Sequence, residues 1–312
     1  MYTFQPGKAT KRTCDFNLIF FITEKMAFSM RRRRLAVSIV AMLLFYTVLN
    51  IVGVRHENSE MKEYVKLRQL AYAKQLAAGI FKPRLSKQEK ELYMVILLTF
   101  ANIMEKHNLT YMIYSGALLG SYRHHGMVPW DDDIDVLVPQ TEANKIWDIL
   151  SSLKPHYFVA KGIPPLRWKF YSYKSRQIRY GVEWKFPFID ICFYELEGNI
   201  MKETDKNNKK FKYNLTDVFP MKKRPFEGIM VNVPRNTKKA LTNTYDISEC
   251  VENTYFHKLE RERKRENKRK MMTVACEELM PVFPFVFRNV TPHGVIETLE
   301  LNGKVLSTWI ER

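Results

Sequence analysis

The apolar positions after residue 86 follow two periods, one typical of helices and one typical of strands. Ser86 and Glu89 have the spacing of a capping box, and apolar side chains at helical spacing follow, so a helix is predicted to end near His107. Shorter patterns predict strands over residues 111–114, 134–138, 166–173, 182–194 and 229–233, and helices over 117–123, 142–153 and 235–245. Because helices and strands alternate early and strands cluster later, we expect a mixed α/β (α+β) domain with helices flanking the sheet.

The N-terminal part has a longer apolar run. Residues 35–54 carry no charged side chain, and four arginines at residues 31–34 precede them. Twenty residues at 1.5 Å rise reach about 30 Å, the thickness of a bilayer core. A cleavable signal peptide has a shorter apolar region and a small-residue cleavage site, so this pattern predicts an uncleaved transmembrane signal anchor.

The block of arginines favours a cytoplasmic N-terminus. This predicts a single-pass type II protein of the Golgi or ER membrane with a lumenal catalytic domain. The predicted organisation is a basic cytoplasmic tail at 1–34, the anchor at 35–54, a stem at 55–85, the catalytic domain at 86–250 and a basic C-terminal extension at 251–312. Within that extension, the charged run at 258–270 is typical of a solvated helix face or a mobile segment.

Composition narrows the class of protein. Hydrophobic residues make up 46 % of the 312 residues and aromatic residues 13 %, which excludes wholesale disorder and collagen-like chains. The net charge of +17 suits nucleic acid, anionic lipid or a phosphorylated substrate, and is also typical of a soluble basic surface. No RRM, zinc-finger or basic-zipper pattern is present, so we do not expect nucleic acid. Four cysteines are too few for a disulfide scaffold. A Cys250–Cys276 pair is a hypothesis, and Cys192 is expected to be a buried, inert thiol.

The candidate chemistry lies in residues 111–138. Asp133 and Asp135 are two apart on a predicted strand, so both carboxylates point to one side of the sheet, where Mg²⁺ or Mn²⁺ would balance them. Gly120 and Ser121 are followed by eleven residues and then by Asp133, and they are predicted to form a phosphate cradle. Asp190 is a lone acid in an apolar run and is the candidate third carboxylate.

Three segments resemble the LicD family, which includes bacterial phosphocholine transferases, fukutin and fukutin-related protein. They are SGALLGSYRHHGMVPWDDDIDV (residues 115–136), FPFIDICFYE (186–195) and RPFEGIMVNVPRNTKKALTNTYD (224–246). The resemblance implies a nucleotidyltransferase-like fold. It also implies transfer of a phospho-alcohol, such as phosphocholine or ribitol phosphate, from a CDP-activated donor to a glycan or glycoprotein acceptor.

The resemblance also implies roles for individual residues. Asp133 and Asp135 would hold the metal, with Asp190 as third ligand or general base. Gly120, Ser121 and Arg123 would contact the donor phosphates, and Asp131 and Asp132 belong to the motif without an assigned role. His124 and His125 are expected to be loop or supporting groups rather than catalysts.

Two alternatives remain open on the sequence. A type II glycosyltransferase of the GT-A class also combines an N-terminal anchor with a DxD motif. A catalytically inactive LicD-like scaffold would retain the fold and bind a glycan or partner enzymes. The spacing between Gly120-Ser121 and Asp133, together with Asp190, favours the phosphotransferase.

Overall fold

The structure is a computed structural model that describes residues 38–45, 58–162, 167–205, 211–252, 254–262 and 272–311. It divides into two compact units at Lys66 and Leu67. In the first unit a helix covers residues 38–45, and helix α1 (Asn58–Ala78) begins there and ends in the second unit. The second unit contains the sheets and the site described below.

The predicted transmembrane anchor is wrong. Among the described residues, no helix is both long enough and apolar enough to cross a membrane. Residues 38–45 of the predicted anchor are helical, and α1 carries charged side chains along its length. Residues 35–37 and 46–54 of the predicted anchor lie outside the described residues, as does the predicted tail at 1–34. The predicted single-pass type II topology and the predicted Golgi or ER membrane location depended on this anchor, and they are wrong for the same reason.

A seven-stranded mixed sheet forms the centre of the second unit. Its strands are β1 (Met112–Ile113), β2 (Ile134–Pro139), β3 (Tyr157–Lys161), β4 (Trp168–Gln177), β5 (Lys185–Glu197), β6 (Ile200–Glu203) and β7 (Lys212–Asn214). Their order is β1-β2-β5-β4-β3, with β6 added beside the end of β5 and β7 beside β6. Strands β2 and β5 run parallel and the other pairs are antiparallel. The mixed α/β class predicted from the sequence is therefore confirmed.

Helix α2 (Lys87–Lys106) covers one face of this sheet. The capping box predicts its start, because the Glu89 amide donates to Ser86 Oγ and the Ser86 amide donates to a Glu89 carboxylate oxygen. The buried stripe of the helix packs on β4 and β5 and includes Tyr93, Ile96, Leu97, Phe100 and Met104. The helix ends at Lys106, with His107 as its C-cap, as the sequence predicts.

Helices α3 (Ser115–His124) and α4 (Ala143–Ser151) follow β1 and β2. The chain then adds α5 (Leu215–Val218), the hairpin β8 (Lys222–Phe226) and β9 (Ile229–Val233), and α6 (Thr237–Thr242). Helix α3 packs against β2, β8, α6 and the C-terminal sheet. Its side chains from Ala117 to His124 are all buried, so α3 is a central helix of this unit.

The C-terminal region adds small antiparallel sheets. Strand β10 (Glu249–Val251) pairs with β13 (Thr273–Ala275), and β11 (Tyr255–Phe256) pairs with β12 (Arg261–Glu262). Strands β14 (Phe285–Thr291), β15 (Gly294–Leu301) and β16 (Lys304–Glu311) form a three-stranded sheet. The predicted pairing of Cys250 with Cys276 is confirmed as a disulfide that joins β10 to the residue after β13, and Cys192 is a buried free thiol as predicted.

A buried ion cluster joins the C-terminal sheet to the rest of the unit. Glu297 on β15 is fully buried and lies 2.6 Å from Arg224 NH2, 2.8 Å from His125 Nε2 and 2.8 Å from Arg288 Nε. Burial alone would raise the pKa of Glu297, but the hydrogen bonds from His125 and Arg224 outweigh it and lower the pKa to about 2. The charged form of Glu297 therefore stabilises the folded chain.

This lowered pKa predicts an acid-sensitive contribution to stability. Because the folded-state pKa lies below the ordinary 4.5, the contribution is fully present above about pH 5 and is lost as the pH falls towards 2. A shift of this size corresponds to about 3 kcal/mol. Urea denaturation between pH 7 and pH 3 should show a steeper loss of stability for the wild type than for Glu297→Gln.

The matched control is Glu277→Gln, which neutralises an exposed acid in the same C-terminal region. It should follow the wild-type pH profile. Parallel profiles for the wild type and Glu297→Gln would contradict the role assigned to this cluster.

Candidate active site

Two neighbouring strands place buried carboxylates side by side. Asp135 on β2 and Asp190 on β5 are direct partners in the parallel register, and their residues are 5 % and 1 % exposed. Asp133 precedes Asp135 by two residues and points to the same side of the sheet. One carboxylate oxygen from each of the three lies within 4.8 Å of the other two. The structure thus brings together the three side chains predicted as metal ligands.

The donor set fits a divalent cation. Carboxylate oxygens are the ligands that Mg²⁺ and Mn²⁺ prefer in proteins. Asp135 Oδ1 is buried and accepts no hydrogen bond from the described residues. A buried carboxylate oxygen without a hydrogen bond is unfavourable unless a positive charge lies beside it. These carboxylates can therefore hold Mg²⁺ or Mn²⁺.

Burial and mutual repulsion perturb these acids. Burial raises the pKa of Asp135 to about 6, since Asp190 adds to the effect and Arg167 only partly opposes it. Burial also raises the pKa of Asp133 well above its usual range, and the neighbouring carboxylates of Asp131 and Asp135 contribute to the rise while His257 opposes it. Two neighbouring acids with raised pKa values in one cluster are typical of a functional site.

Two basic side chains that sequence reasoning missed lie against the carboxylates. Lys169 on β4 is the register partner of Asp190, and its Nζ lies 2.5 Å from Asp190 Oδ1. Arg167 precedes β4, and its NH1 lies 3.7 Å from Asp135 Oδ1. Arg167 and Lys169 are the two charged residues of the otherwise uncharged predicted strand 166–173, a signal similar to the one that identified Asp190.

The described residues 254–262, here called the His257 segment, cover another side of the cluster. His257 Nε2 lies 3.4 Å from Asp133 Oδ2, and His257 Nδ1 lies 3.5 Å from Asp132 Oδ1. Burial opposes charge on His257, but the carboxylates of Asp133 and Asp132 outweigh it and raise its pKa to about 10. The part of the charged run that the structure describes, residues 258–262, therefore belongs to the surroundings of the site, while residues 263–270 lie outside the described residues.

Asp132 holds this segment in place. Its carboxylate accepts a hydrogen bond of 3.0 Å from the Lys258 amide and one of 3.3 Å from Arg84 NH1. Its backbone carbonyl accepts from the Tyr93 hydroxyl at 3.0 Å. Asp132 is fully buried, and its oxygens are committed to these protein partners. Asp132 is therefore an anchor for the His257 segment.

Asp131 lies at the start of helix α3. A Cβ added to Gly116 would come within 2.8 Å of Asp131 Oδ2, so the carboxylate lies directly against the first turn of α3. Ser115 has a φ of 54°, and its hydroxyl lies 2.9 Å from the Tyr245 hydroxyl. The first amides of a helix have no partner within the helix and favour anions such as phosphate. Ser115 and Gly116 are thus functional candidates that sequence reasoning did not single out.

The residues predicted to contact phosphate lie elsewhere in α3. Ser121 is fully buried and donates to the Pro225 carbonyl at 2.9 Å. Arg123 is buried and donates to the Glu249 carbonyl and to Cys276 Sγ. Gly120 packs against backbone, because an added Cβ would lie 2.3 Å from the Gly126 carbonyl oxygen. The structure commits all three residues to contacts within the protein and does not turn their polar groups towards the carboxylates.

The two histidines after these residues also have structural partners. The Nδ1 atom of His124 lies 2.7 Å from the Pro284 carbonyl oxygen, and burial lowers the pKa of its ring to about 3. His125 contacts Glu297 in the buried ion cluster. Both histidines connect α3 to the C-terminal region, in line with the supporting role predicted for them.

Comparison with known proteins agrees with this geometry. Residues 108–236 match the family model described as "LicD/FKTN/FKRP, nucleotidyltransferase domain", and this range contains all three clustered carboxylates. The lipopolysaccharide cholinephosphotransferase LicD of Haemophilus influenzae is 33 % identical over 67 residues, which cover 21 % of this chain. An uncharacterised protein of Rickettsia typhi is 30 % identical over 147 residues, 47 % of this chain, and one of Rickettsia prowazekii is 26 % identical over 212 residues, 66 % of this chain.

The extent of these matches differs between relatives. The match spans 25 % of the length of the Haemophilus protein, 42 % of the Rickettsia typhi protein and 68 % of the Rickettsia prowazekii protein. The similarity to the named enzyme is thus confined to a part of each chain.

The two glycines of α3 allow a test of these assignments. Gly120→Ala should lower the free energy of unfolding by about 1–3 kcal/mol or more, because the new methyl group meets backbone atoms of residues 126–128 that cannot move independently. Gly116→Ala meets only the end of the Asp131 side chain, so it should leave stability nearly unchanged. Urea denaturation of both variants checks this. A stable Gly120→Ala variant would return Gly120 to the candidates for phosphate contact.

Proposed function

The chain belongs to the LicD family through its domain at residues 108–236, and from this premise we propose that it is a metal-dependent phosphotransferase. It moves a phospho-alcohol group, phosphocholine or an alditol phosphate such as ribitol phosphate, from a CDP-activated donor to a hydroxyl group of a glycan or glycoprotein acceptor. The observation that carries the proposal is the convergence of Asp133, Asp135 and Asp190.

Those three carboxylates would hold Mg²⁺ or Mn²⁺. When bound, such a cation neutralises charge on the donor phosphates and on the departing nucleotide. Lys169 Nζ lies 2.5 Å from Asp190 Oδ1, and we propose Asp190 as the third ligand or the general base.

The reaction exchanges one phosphorus–oxygen bond for another. The acceptor hydroxyl oxygen bonds to the β-phosphorus of the donor, the bond from that phosphorus to the bridging oxygen breaks, CMP leaves and the hydroxyl proton is released. Catalysis of this kind depends on positioning and on electrostatic stabilisation of the phosphate oxygens. The first turn of α3, at Ser115 and Gly116, supplies backbone amides for such oxygens. The His257 segment covers one side of the cluster and reduces access of water.

The alternatives have less support. The matched family model is a nucleotidyltransferase domain, which gives no support to a GT-A glycosyltransferase. The relative with a printed activity is a cholinephosphotransferase, which favours phosphotransfer. An inactive scaffold would not need three carboxylates brought together, two of them buried.

The test measures nucleotide release by the purified full chain. CDP-choline, CDP-ribitol, CDP-glycerol and common UDP- and GDP-sugars are each supplied with Mg²⁺ or Mn²⁺. We expect CMP from one CDP donor and a loss of at least about a hundredfold in the Asp133→Asn/Asp135→Asn double variant, because electrostatic stabilisation of this kind is worth that much. Chelation with EDTA should abolish the release, and added Mg²⁺ or Mn²⁺ should restore it.

Asp148→Asn is the matched control, since it removes an exposed carboxylate from α4. It should leave the rate of nucleotide release unchanged. Release of UDP or GDP would favour the glycosyltransferase instead. If no donor is hydrolysed and calorimetry in the presence of CDP shows no binding of Mg²⁺ or Mn²⁺, the inactive scaffold replaces the proposal.

A further inference from the structure

Two basic side chains at the start of β4 each stand between two carboxylates. Arg167 lies 3.7 Å from Asp135 through NH1 and 3.6 Å from Glu203 through NH2. Lys169 Nζ lies 2.5 Å from Asp190 Oδ1 and 3.4 Å from Glu260 Oε1. In both cases one carboxylate belongs to the proposed metal site and the other lies outside it.

The outer carboxylates hold the two cations in place. Glu260 Oε1 accepts from Trp184 Nε1 at 2.8 Å, and Glu260 Oε2 accepts from the Tyr255 hydroxyl at 2.6 Å, so its position is fixed by a hydrogen-bonded shell. The Lys169 ammonium group also lies 4.3 Å from the centre of the Phe188 ring and 5.4 Å from that of Trp184. Lys169 is therefore held close to Asp190 from several sides.

This arrangement opposes binding of a metal ion alone. A divalent cation on Asp135 and Asp190 would come close to the positive charges of Arg167 and Lys169, which already balance the two acids. Charges of like sign a few ångströms apart repel strongly in a partly buried site. Asp135 and Asp190 alone would suit a cation, but each already has a basic partner, with which a bound metal ion would have to share the carboxylate.

A diphosphate resolves this conflict. It brings negative charge that both the metal ion and the two basic side chains can share, and a guanidinium group binds phosphate oxygens in a bidentate manner. The Arg167 side chain is 29 % exposed and the Lys169 side chain is 8 % exposed, so Arg167 is the more accessible of the two. The two cations thus offer an outer and an inner contact for adjacent phosphate groups.

We propose that Arg167 and Lys169 bind the diphosphate of the donor and make metal binding depend on it, so that the cation enters the site together with the nucleotide. This inference rests on the proposed function for the identity of the ligand. It replaces Gly120, Ser121 and Arg123, which the structure uses for packing, with two residues that contact the carboxylate cluster itself.

Calorimetric titration of the full chain with Mn²⁺ tests the coupling without requiring turnover. CDP and UDP serve as probes. For the wild type we expect weak binding of Mn²⁺ alone and about tenfold tighter binding in the presence of CDP. Lys169→Met and Arg167→Gln should each tighten binding of Mn²⁺ alone by about threefold, because they remove a repelling charge, and should reduce the effect of CDP to about twofold.

Arg176→Met is the matched control, because it removes an exposed charge from the same strand. It should behave as the wild type. Arg167→Gln changes a half-buried side chain, so it keeps the test valid if Lys169→Met fails to fold. Circular dichroism checks the fold of every variant.

The outcomes separate this inference from the proposed function. Variants that bind Mn²⁺ no more tightly than the wild type and retain the full effect of CDP overturn the inference and leave the phosphotransferase proposal standing. Coupling with UDP but not with CDP supports the roles of Arg167 and Lys169 and overturns the cytidine donor. Tight binding of Mn²⁺ to the wild type without any nucleotide also overturns the inference.

Discussion

The side-by-side burial of Asp135 and Asp190 on two parallel strands is the constraint to which the surrounding structure responds. Two buried carboxylates in register repel each other, and each loses its hydration. The neighbouring strand supplies Lys169 directly opposite Asp190, and the residue before that strand supplies Arg167 near Asp135. These charges come from separate strands, so the basic side chains compensate the carboxylates only once the sheet has formed. The site therefore depends on the sheet that carries it.

The C-terminal region also contacts the carboxylates of the loop before β2. Arg123 on α3 donates to the Glu249 carbonyl and to Cys276 Sγ, which connects α3 to the disulfide-linked strands β10 and β13. Those strands flank the His257 segment in the chain, and that segment contacts Asp132 and Asp133. Arg123 has its hydrogen-bond partners within the protein, but it still affects the site, because it helps to position the segment that covers the carboxylates.

Features that depend on a few neighbouring residues could be predicted from the sequence. Contacts between residues far apart in the chain could not. The capping box at Ser86, the alternation of Asp133 with Asp135 and the lone acid Asp190 are patterns within a few residues, and each led to the correct element or cluster. Gly120-Ser121 misled because helix α3 begins at Ser115, which buries that pair in the middle of the helix. The apolar run at 35–54 suggested a membrane span by its composition, whereas among the described residues no helix is both long and apolar enough to cross a membrane. Lys169 and His257 contact carboxylates that lie between 21 and 125 positions away in the chain. Local sequence patterns do not predict such contacts.

The residues of this site fall into two groups, those inside the family match and those outside it. Residues 108–236 include the three carboxylates together with Arg167 and Lys169, so the proposed metal ligands and their basic partners all belong to the matched domain. Arg84, His257 and Glu260 lie outside it, yet they contact Asp132, Asp133 and Lys169. The matched domain therefore holds the charged groups that we propose for phosphate transfer, and the flanking regions supply side chains that contact them. A variant outside the matched domain can for this reason change the site without altering any of the charges that define its chemistry.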